Sequence, residues 1–115
     1  MQRRFRLRRT TDLRRVRRTG RSYAHPLLVL VVAAGQAGEL RIGVAASRSV
    51  GGAVQRNRAR RLLREAMRPL LVEATQGWDL LLVARAQIVE ASLSEVSTAV
   101  RALLHRAGLV QGDNG

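Results

Sequence analysis

The chain lacks cysteine, and this absence excludes several kinds of site at once. It also has no lysine, and Phe5, Tyr23 and Trp78 are its only aromatic residues. Without cysteine there can be no disulfide, no thiolate zinc site and no cysteine nucleophile. With so few aromatic rings, the core must be built from leucine, valine and alanine. The 115 residues are enough for one domain with a modest core.

Acidic residues are scarce beside basic ones. Twenty-one arginines face eight acidic residues, which gives a formal net charge of +13. Such a charge costs self-repulsion unless a polyanion normally lies against the surface, so it predicts a nucleic-acid partner. Guanidinium groups bind phosphate through paired hydrogen bonds and stack on bases, which suits RNA. A GC-rich coding bias would also replace lysine with arginine, and the two explanations can hold together.

Apolar runs are too short to cross a membrane. The longest, residues 27–34, falls far below the roughly 18 to 20 residues that a span requires, so it predicts a strand. The arginine-rich N-terminus lacks the apolar segment and cleavage pattern of a signal peptide. We therefore expect a cytoplasmic chain without a membrane partner.

The order of helix and strand patterns predicts a mixed fold. A helix is expected over about residues 10–18. Residues 23–33 are extended but interrupted at His25-Pro26, which predicts a short edge strand or bend before the apolar run. Residues 39–46 form a further main strand, joined to the apolar run as a hairpin. The nearly all-apolar residues 78–84 indicate a strand covered on both faces. A long helix from about residue 53 toward residue 75 should kink or break at Pro69. In the last helix, Ser92 and Glu95 form a capping box.

The most informative segment is RNRARRLLREAMR, residues 56–68. At 100° per residue, a helix here carries arginines along one side and apolar residues along the other. The arginine stripe comprises Arg56, Arg60, Arg61, Arg64 and Arg68, and the apolar side comprises Ala59, Leu62, Leu63, Ala66, Met67 and Leu70. Arg58 lies outside the stripe and is free to contact a different element. One side should pack while the other meets an anion.

The sequence contains no recognisable catalytic set. His25 and His105 lie on different elements without neighbouring carboxylates, so neither a zinc site nor a general base is indicated. The eight acidic residues are dispersed and show no paired pattern for a two-metal nuclease. The loop before the arginine helix lacks the Gly-Lys-Ser/Thr ending of a P-loop. We expect no catalytic protein residue.

Four segments, in the same order, resemble the bacterial ribonuclease P protein family. Residues 51–65 are similar to its signature, with Arg56-Asn57-Arg58 as the RNR core. The other three are Arg6-Leu7 with Asp12, Val16 and Gly20; residues 40–48; and residues 78–85. The resemblance spans about residues 3–107. It implies a single α/β domain over residues 1–115, an α+β sandwich of order αβββαβα. Within that range, the residues themselves predict a mobile basic arm (1–9) and a frayed tail (109–115). Its central four-stranded sheet would include a left-handed βαβ crossover carrying the arginine helix, although right-handed crossovers are the rule.

The resemblance also implies a function. The chain would be the protein subunit of a ribonucleoprotein endonuclease whose catalytic RNA performs the chemistry. It would bind that RNA and the 5′ leader of precursor tRNA, and would assist magnesium-dependent removal of the leader. Mg²⁺ would be bound mainly through RNA, with no protein-bound cofactor and no obligate protein partner.

Two sets of residues are implied to contact RNA. The catalytic RNA would meet Arg56, Asn57, Arg58, Arg60, Arg61, Arg64 and Arg68. The leader would lie in a cleft between the first helix and the sheet, lined by Arg9, Leu13, Val16, Leu30, Ser47 and Arg48. Several relatives carry aromatics at three of these cleft positions, and stacking on an aromatic contributes about 1 to 3 kcal/mol per base. We therefore expect leader binding to depend more on phosphate contacts, made by Arg9, Arg14, Arg15 and Arg48, and to be salt-sensitive.

Three other functions fit the composition less well. An rRNA-binding structural or assembly protein shares the size and charge, and would leave precursor tRNA processing unchanged. A helix-turn-helix DNA-binding protein is disfavoured by the apolar strands on both sides of the arginine helix. A membrane-active cationic peptide is disfavoured by the buried strand.

Overall fold

Helices and strands follow one another in the predicted αβββαβα order. The structure is a computed structural model that describes residues 6–7 and 10–110. Its helices and strands are α1 (Thr10–Thr19), β1 (Arg21–Ala24), β2 (Leu28–Ala34), β3 (Leu40–Ala46), α2 (Ala53–Met67), β4 (Trp78–Ala84) and α3 (Leu93–Arg106). The predicted four-stranded sheet and the mixed fold class are confirmed.

The four strands form a sheet in the order β1-β2-β4-β3. β2 pairs antiparallel with both β1 and β4, whereas β3 pairs parallel with β4. The predicted hairpin between the second and third extended segments is therefore wrong, because β4 lies between them. Its apolar sequence suits that central position, where both faces are covered. β3, α2 and β4 form a crossover between neighbouring parallel strands, and its left hand stays a prediction.

Side chains alternate between two cores on opposite faces of the sheet. On one face, Leu28 and Leu30 of β2 and Leu80 and Leu82 of β4 pack under α2 and α3. On the other, Val31, Ala33 and Leu81 pack with Leu7 and with Val16 of α1. We call these the α2/α3 face and the α1 face. Because successive strand residues point to opposite faces, neighbouring residues serve different cores.

α2 divides as its sequence predicts. Its buried residues are Ala59, Leu63, Ala66 and Met67, and a 3-10 turn at Arg68–Leu70 ends it. Pro69 lies in that turn, so the predicted break is confirmed. The capping box of α3 is also confirmed: Ser92 Oγ accepts from Glu95 N at 3.1 Å, and Ser92 N donates to Glu95 Oε1 at 3.0 Å.

Both ends of the domain differ from expectation where they are described. Leu7 is buried and its N–H donates to the Ile42 carbonyl at 2.8 Å, so this part of the arm is fixed along β3. Leu109 is also buried, and its carbonyl accepts from Thr75 N at 2.8 Å. The mobile arm is therefore wrong at residues 6–7 and the frayed tail at residues 109–110, since apolar side chains there join the cores. The remaining residues of both segments lie outside the described residues.

Candidate nucleic-acid interface

The arginines of α2 lie at different depths. Arg61, Arg68 and Asn57 are exposed, whereas Arg56, Arg60 and Arg64 are half-buried. Asn57 Oδ1 accepts a hydrogen bond from Arg60, and Arg68 pairs with Glu65 at 2.8 Å. Arg56 Nε is buried and has no hydrogen-bond partner within residues 6–7 and 10–110. The side chains of Arg56, Arg60 and Arg64 therefore lie partly against the protein and do not extend fully into solvent.

Arg58 contacts a different element, as its position outside the arginine stripe allows. Its Nη1 donates to the Val89 carbonyl at 3.1 Å and its Nη2 to the Ala91 carbonyl at 2.9 Å. Both carbonyls lie in the segment just before α3, so Arg58 joins α2 to that segment. This contact serves the protein fold, and the place of Arg58 among the RNA-contacting residues stays a prediction.

Arg64 and Arg6 line a small cavity at the edge of the sheet. The cavity has a volume of about 240 Å³, and its other lining residues are Leu7, Leu13, Ile42, Gly43 and Val44. Arg6 Nε is buried without a hydrogen-bond partner in the described part of the chain. The pKa of Arg64 is lowered, first by burial and then by repulsion from Arg6 and Arg60. An anion in this cavity would relieve both the missing hydrogen bond and the repulsion.

The residues predicted for the leader cleft do not form one surface. Leu13 is half-buried and lines the cavity beside Arg64. Val16 is a residue of α1 and is completely buried between this helix and the sheet. Leu30 belongs to the core on the α2/α3 face, so its assignment to a cleft beside α1 is wrong. The reason is strand alternation, since the neighbours Val29 and Val31 are the β2 residues that face α1. Arg9 lies outside the described residues.

An apolar strip on the α1 face occupies the position where a cleft floor was expected. It consists of Val29, Ala45 and Val83, which are half-buried and pack at the border of the core under α1. Each lies on a different strand of the sheet, and the register pairs Val83 with both Val29 and Ala45. The strip was not predicted from the sequence, although alternation from the β2 residues that face α1 locates Val29 on this face.

A larger groove of about 430 Å³ opens beyond the carboxyl ends of β3 and β4. Its polar lining includes Ser47, Ser49, Arg85 and Gln87, and Val83 of the strip reaches it. The predicted Ser47 therefore lines a site, with the exposed Arg48 next to it in the chain. Arg85 and Gln87 were missed. Because β3 and β4 are parallel, residues following both strands meet at one end of the sheet, which is the signal that points to Arg85.

Four charged side chains form a cluster at the opposite end of β4. This Asp79 cluster comprises Asp12, Arg15, Arg41 and Asp79. Arg41 donates to Asp79 from Nε at 3.0 Å and from Nη2 at 2.9 Å, and Arg15 Nη2 also donates to Asp79. The hydrogen bond from Arg41 to Asp79 is the main cause of the raised pKa of Arg41. Arg15 is thus engaged with Asp79 inside the protein, and its expected role on leader phosphates stays a prediction.

The described residues offer no grouping of three or more His, Asp or Glu side chains that would hold a metal ion. Within the same part of the chain, no helix is long and apolar enough to span a membrane.

The family model for ribonuclease P matches residues 1–108. The chain belongs to the bacterial ribonuclease P protein family. It is 45% identical over 111 residues to the ribonuclease P protein component of Chloroflexus aurantiacus, covering 96% of this chain and 82% of that one. It is 44% identical over 109 residues to the component from Herpetosiphon aurantiacus, covering 95% and 89%.

Solved structures of the family share the fold. An RNase P protein mutant from Staphylococcus aureus superposes with a TM-score of 0.83 at 22% identity, covering 91% of this chain and 89% of that one. The Thermotoga maritima RNase P protein gives 0.79 at 23% identity, covering 93% and 98%. Family membership makes the chain the protein subunit of a ribonucleoprotein endoribonuclease in tRNA processing, with RNA as its partner.

Proposed function

We propose that the chain binds the catalytic RNA of ribonuclease P through α2 and Arg6, and the 5′ leader of precursor tRNA along the α1 face. The observation that carries this proposal is the cavity shared by Arg6 and Arg64. Two guanidinium groups there repel one another, and one buried Nε has no partner in the described residues. A phosphate of the RNA backbone would supply the missing acceptor and the opposite charge.

The start of α2 also suits a polyanion. Its N-cap residue is Gly52, its first turn contains no acidic residue, and no side chain caps it. The positive end of the helix dipole and the open N–H groups therefore favour an anion. Arg56, half-buried with an unpartnered Nε within the described structure, lies in the same turn and a half. Phosphate contacts of this kind position an RNA without reading its sequence.

The α1 face offers a path for a single strand. The apolar strip of Val29, Ala45 and Val83 leads to the groove that contains Ser47 and Arg85. Bases can lie on the strip while hydroxyl and guanidinium groups meet phosphates beyond it. Because the strip is aliphatic, bases gain less than by stacking on an aromatic. Leader affinity should consequently fall with salt, by about 0.7 log units per log unit of salt for each phosphate neutralised.

The chemistry is assigned to the RNA. Magnesium ions held mainly by RNA oxygens would polarise the scissile phosphate and activate water. The side chains described above bind and orient: arginines screen the repulsion between leader and catalytic RNA, which lowers the magnesium concentration needed for the two to associate. This proposal places the complex in the cytoplasm, with precursor tRNA as substrate.

Reconstitution tests the proposal. A bacterial RNase P RNA is incubated with precursor tRNA at low magnesium, with the chain or with an arginine peptide of equal net charge. We expect the chain, and not the peptide, to stimulate accurate removal of the leader. An unchanged cleavage rate would overturn the proposal and would favour the alternative of an rRNA-binding structural or assembly protein.

A further inference from the structure

Asp79 is the only charged side chain that is buried among the described residues. It is the second residue of β4 and is 1% exposed, on the α1 face of the sheet. A carboxylate in such a place loses its hydration, so its surroundings must supply equivalent partners. It is too deeply buried to meet RNA, and the RNA-binding surfaces described above do not use it.

The Asp79 cluster joins four elements at one point. Arg15 belongs to α1 and Arg41 to β3, and both donate to Asp79 of β4. Arg15 Nη1 also donates to the carbonyl of Ala34, the last residue of β2, at 3.0 Å. Asp12 of α1 lies 3.8 Å from Arg15 and 3.7 Å from Arg41. The two arginines and two aspartates balance in charge, so the cluster holds α1 without adding to the basic surface.

α1 depends on this cluster for its placement. The helix has ten residues, and Val16 is its only fully buried one. A helix of that length is marginal by itself, so tertiary contacts must hold it. Apolar packing allows sliding, whereas Arg15 fixes direction and distance because its two Nη groups donate separately to Asp79 and to the Ala34 carbonyl. The cluster leaves no spare room, since a Cβ on Gly35 would lie 2.7 Å from Asp79 Oδ1.

α1 is also one wall of the surface on which the leader is proposed to lie. Its Leu13 lines the cavity beside Arg64, and Val16 packs on Val31 and Leu81 next to the apolar strip. We propose that Asp79 is a positioning residue for leader binding: through Arg15 it fixes α1 above the sheet and so sets the width of the leader path. This inference rests on the proposed function.

If Asp79 positions α1, Asp79→Asn should have the opposite effect from the one expected if only the net positive charge attracts RNA. The substitution raises the net charge by one and releases Arg15 and Arg41 from a carboxylate. If charge alone governed binding, RNA affinity would rise. If Asp79 positions α1, affinity for a leader-bearing substrate should fall while affinity for mature tRNA stays level or rises. The ratio of the two affinities therefore separates the explanations.

The experiment uses holoenzymes reconstituted with wild type, Asp79→Asn, Arg15→Ala, Arg15→Lys and, as matched control, Arg17→Ala. Arg17 is an exposed residue of the same helix, so both alanine substitutions remove one positive charge from α1. For each holoenzyme, Kd is measured for precursor tRNA with a long leader and for mature tRNA. We expect Arg15→Ala to reduce the leader-dependent affinity ratio by about tenfold or more, since it displaces a binding wall. Arg17→Ala should reduce it by no more than about threefold, as an exposed charge does.

Arg15→Lys keeps the positive charge but lacks the two guanidinium arms that donate to Asp79 and to the Ala34 carbonyl, so it should restore only part of the ratio. Equal losses for Arg15→Ala and Arg17→Ala, or a higher ratio for Asp79→Asn, would overturn the inference alone. If wild type itself does not prefer the leader-bearing substrate, the proposed function fails as well. Should Arg15→Ala not fold, as judged by circular dichroism, Asp79→Asn and Arg15→Lys decide by the same ratio.

Discussion

α2 and α3 are neighbours of almost equal length that pack against the same face of the sheet, yet their exposed sides differ. α2 has 15 residues and α3 has 14, and each buries an apolar side in the same core. α2 contains five arginines and one glutamate, whereas α3 contains two arginines and one glutamate. Packing against this core requires one apolar side on each helix and nothing more. The additional arginines of α2 are therefore not required by the core: Arg58 joins α2 to the segment before α3, and the others remain available for the proposed RNA contact.

The N-termini of the two helices extend the contrast. α3 satisfies its first N–H groups internally, through Ser92 and Glu95. At the equivalent end of α2, Gln55 Oε1 accepts only from the backbone of Gly52, at 3.1 Å. The remaining N–H groups of α2 have no side-chain cap. α3 therefore pairs N-terminal N–H donors with its own side chains, whereas α2 keeps N–H donors available for an anion.

Removing a core leucine should have the largest effect on stability, and the loss should be similar for α2 and α3. Leu63 of α2 and Leu103 of α3 are both buried. Leu63→Ala and Leu103→Ala should each lower the free energy of unfolding by about 2 to 5 kcal/mol, measured by urea denaturation. Val54→Ala, at a position that is 79% exposed, serves as control and should change it by less than about 0.5 kcal/mol. A large loss for only one leucine would contradict the shared core.

Removing arginines should weaken RNA binding when they come from α2 and should have little effect when they come from α3. Arg60→Ala with Arg64→Ala should weaken binding to the catalytic RNA by about 10- to 100-fold and reduce the salt slope by about 1.5 to 2. The matched pair Arg101→Ala with Arg106→Ala removes the same charge from α3. It should change affinity by no more than about threefold, the effect of exposed charges acting at a distance. Equal losses would show that total charge, and not its placement on α2, governs assembly.

The smallest expected effect is a dependence of stability on acidic pH. The pKa of Glu95 lies below its ordinary value of 4.5, first because the Ser92 backbone N–H donates to it. A lowered pKa contributes stability that is present above pH 4.5 and is lost as the pH falls through the folded-state value. Glu95→Gln should therefore be less stable than wild type at pH 7, and the two should converge in acid, as followed by thermal melting.

Gln55 supplies the control for this pH dependence. It occupies the position of Glu95 in the capping arrangement of α2, but its amide carries no charge. The loss of stability in Gln55→Ala should stay constant over the same pH range. A parallel pH dependence for both substitutions would assign the acid response to another group.

Local patterns were sufficient to predict much of the fold. The capping box at Ser92, the break at Pro69 and the apolar side of α2 each depend on residues within one or two helical turns. Strand neighbours depend on contacts far apart in the chain. A hairpin is the usual outcome for consecutive strands, but β4 inserts between β2 and β3 because its two apolar faces require cover on both sides.

The candidate site was less predictable for the same reason. Arg14 and Arg15 are indistinguishable by composition or spacing, and only Asp79, 64 residues further along, decides that Arg15 is engaged. The choice between Val29 and Leu30 depends on which face of β2 meets α1, and an apolar strand with both sides buried gives no sign of that. The stripe on α2 could be located because helical geometry alone defines it.

The parallel bridge between Arg6 and Ile42 also covers part of an edge of the sheet. β3 is an outer strand, and its unpaired backbone groups would otherwise offer a template for a strand of another molecule. Leu7 occupies one of those groups by donating to the Ile42 carbonyl. The N-terminal segment thus leaves less of this edge open to pairing with a strand of another molecule, so removing Leu7 would expose a site for edge-to-edge association.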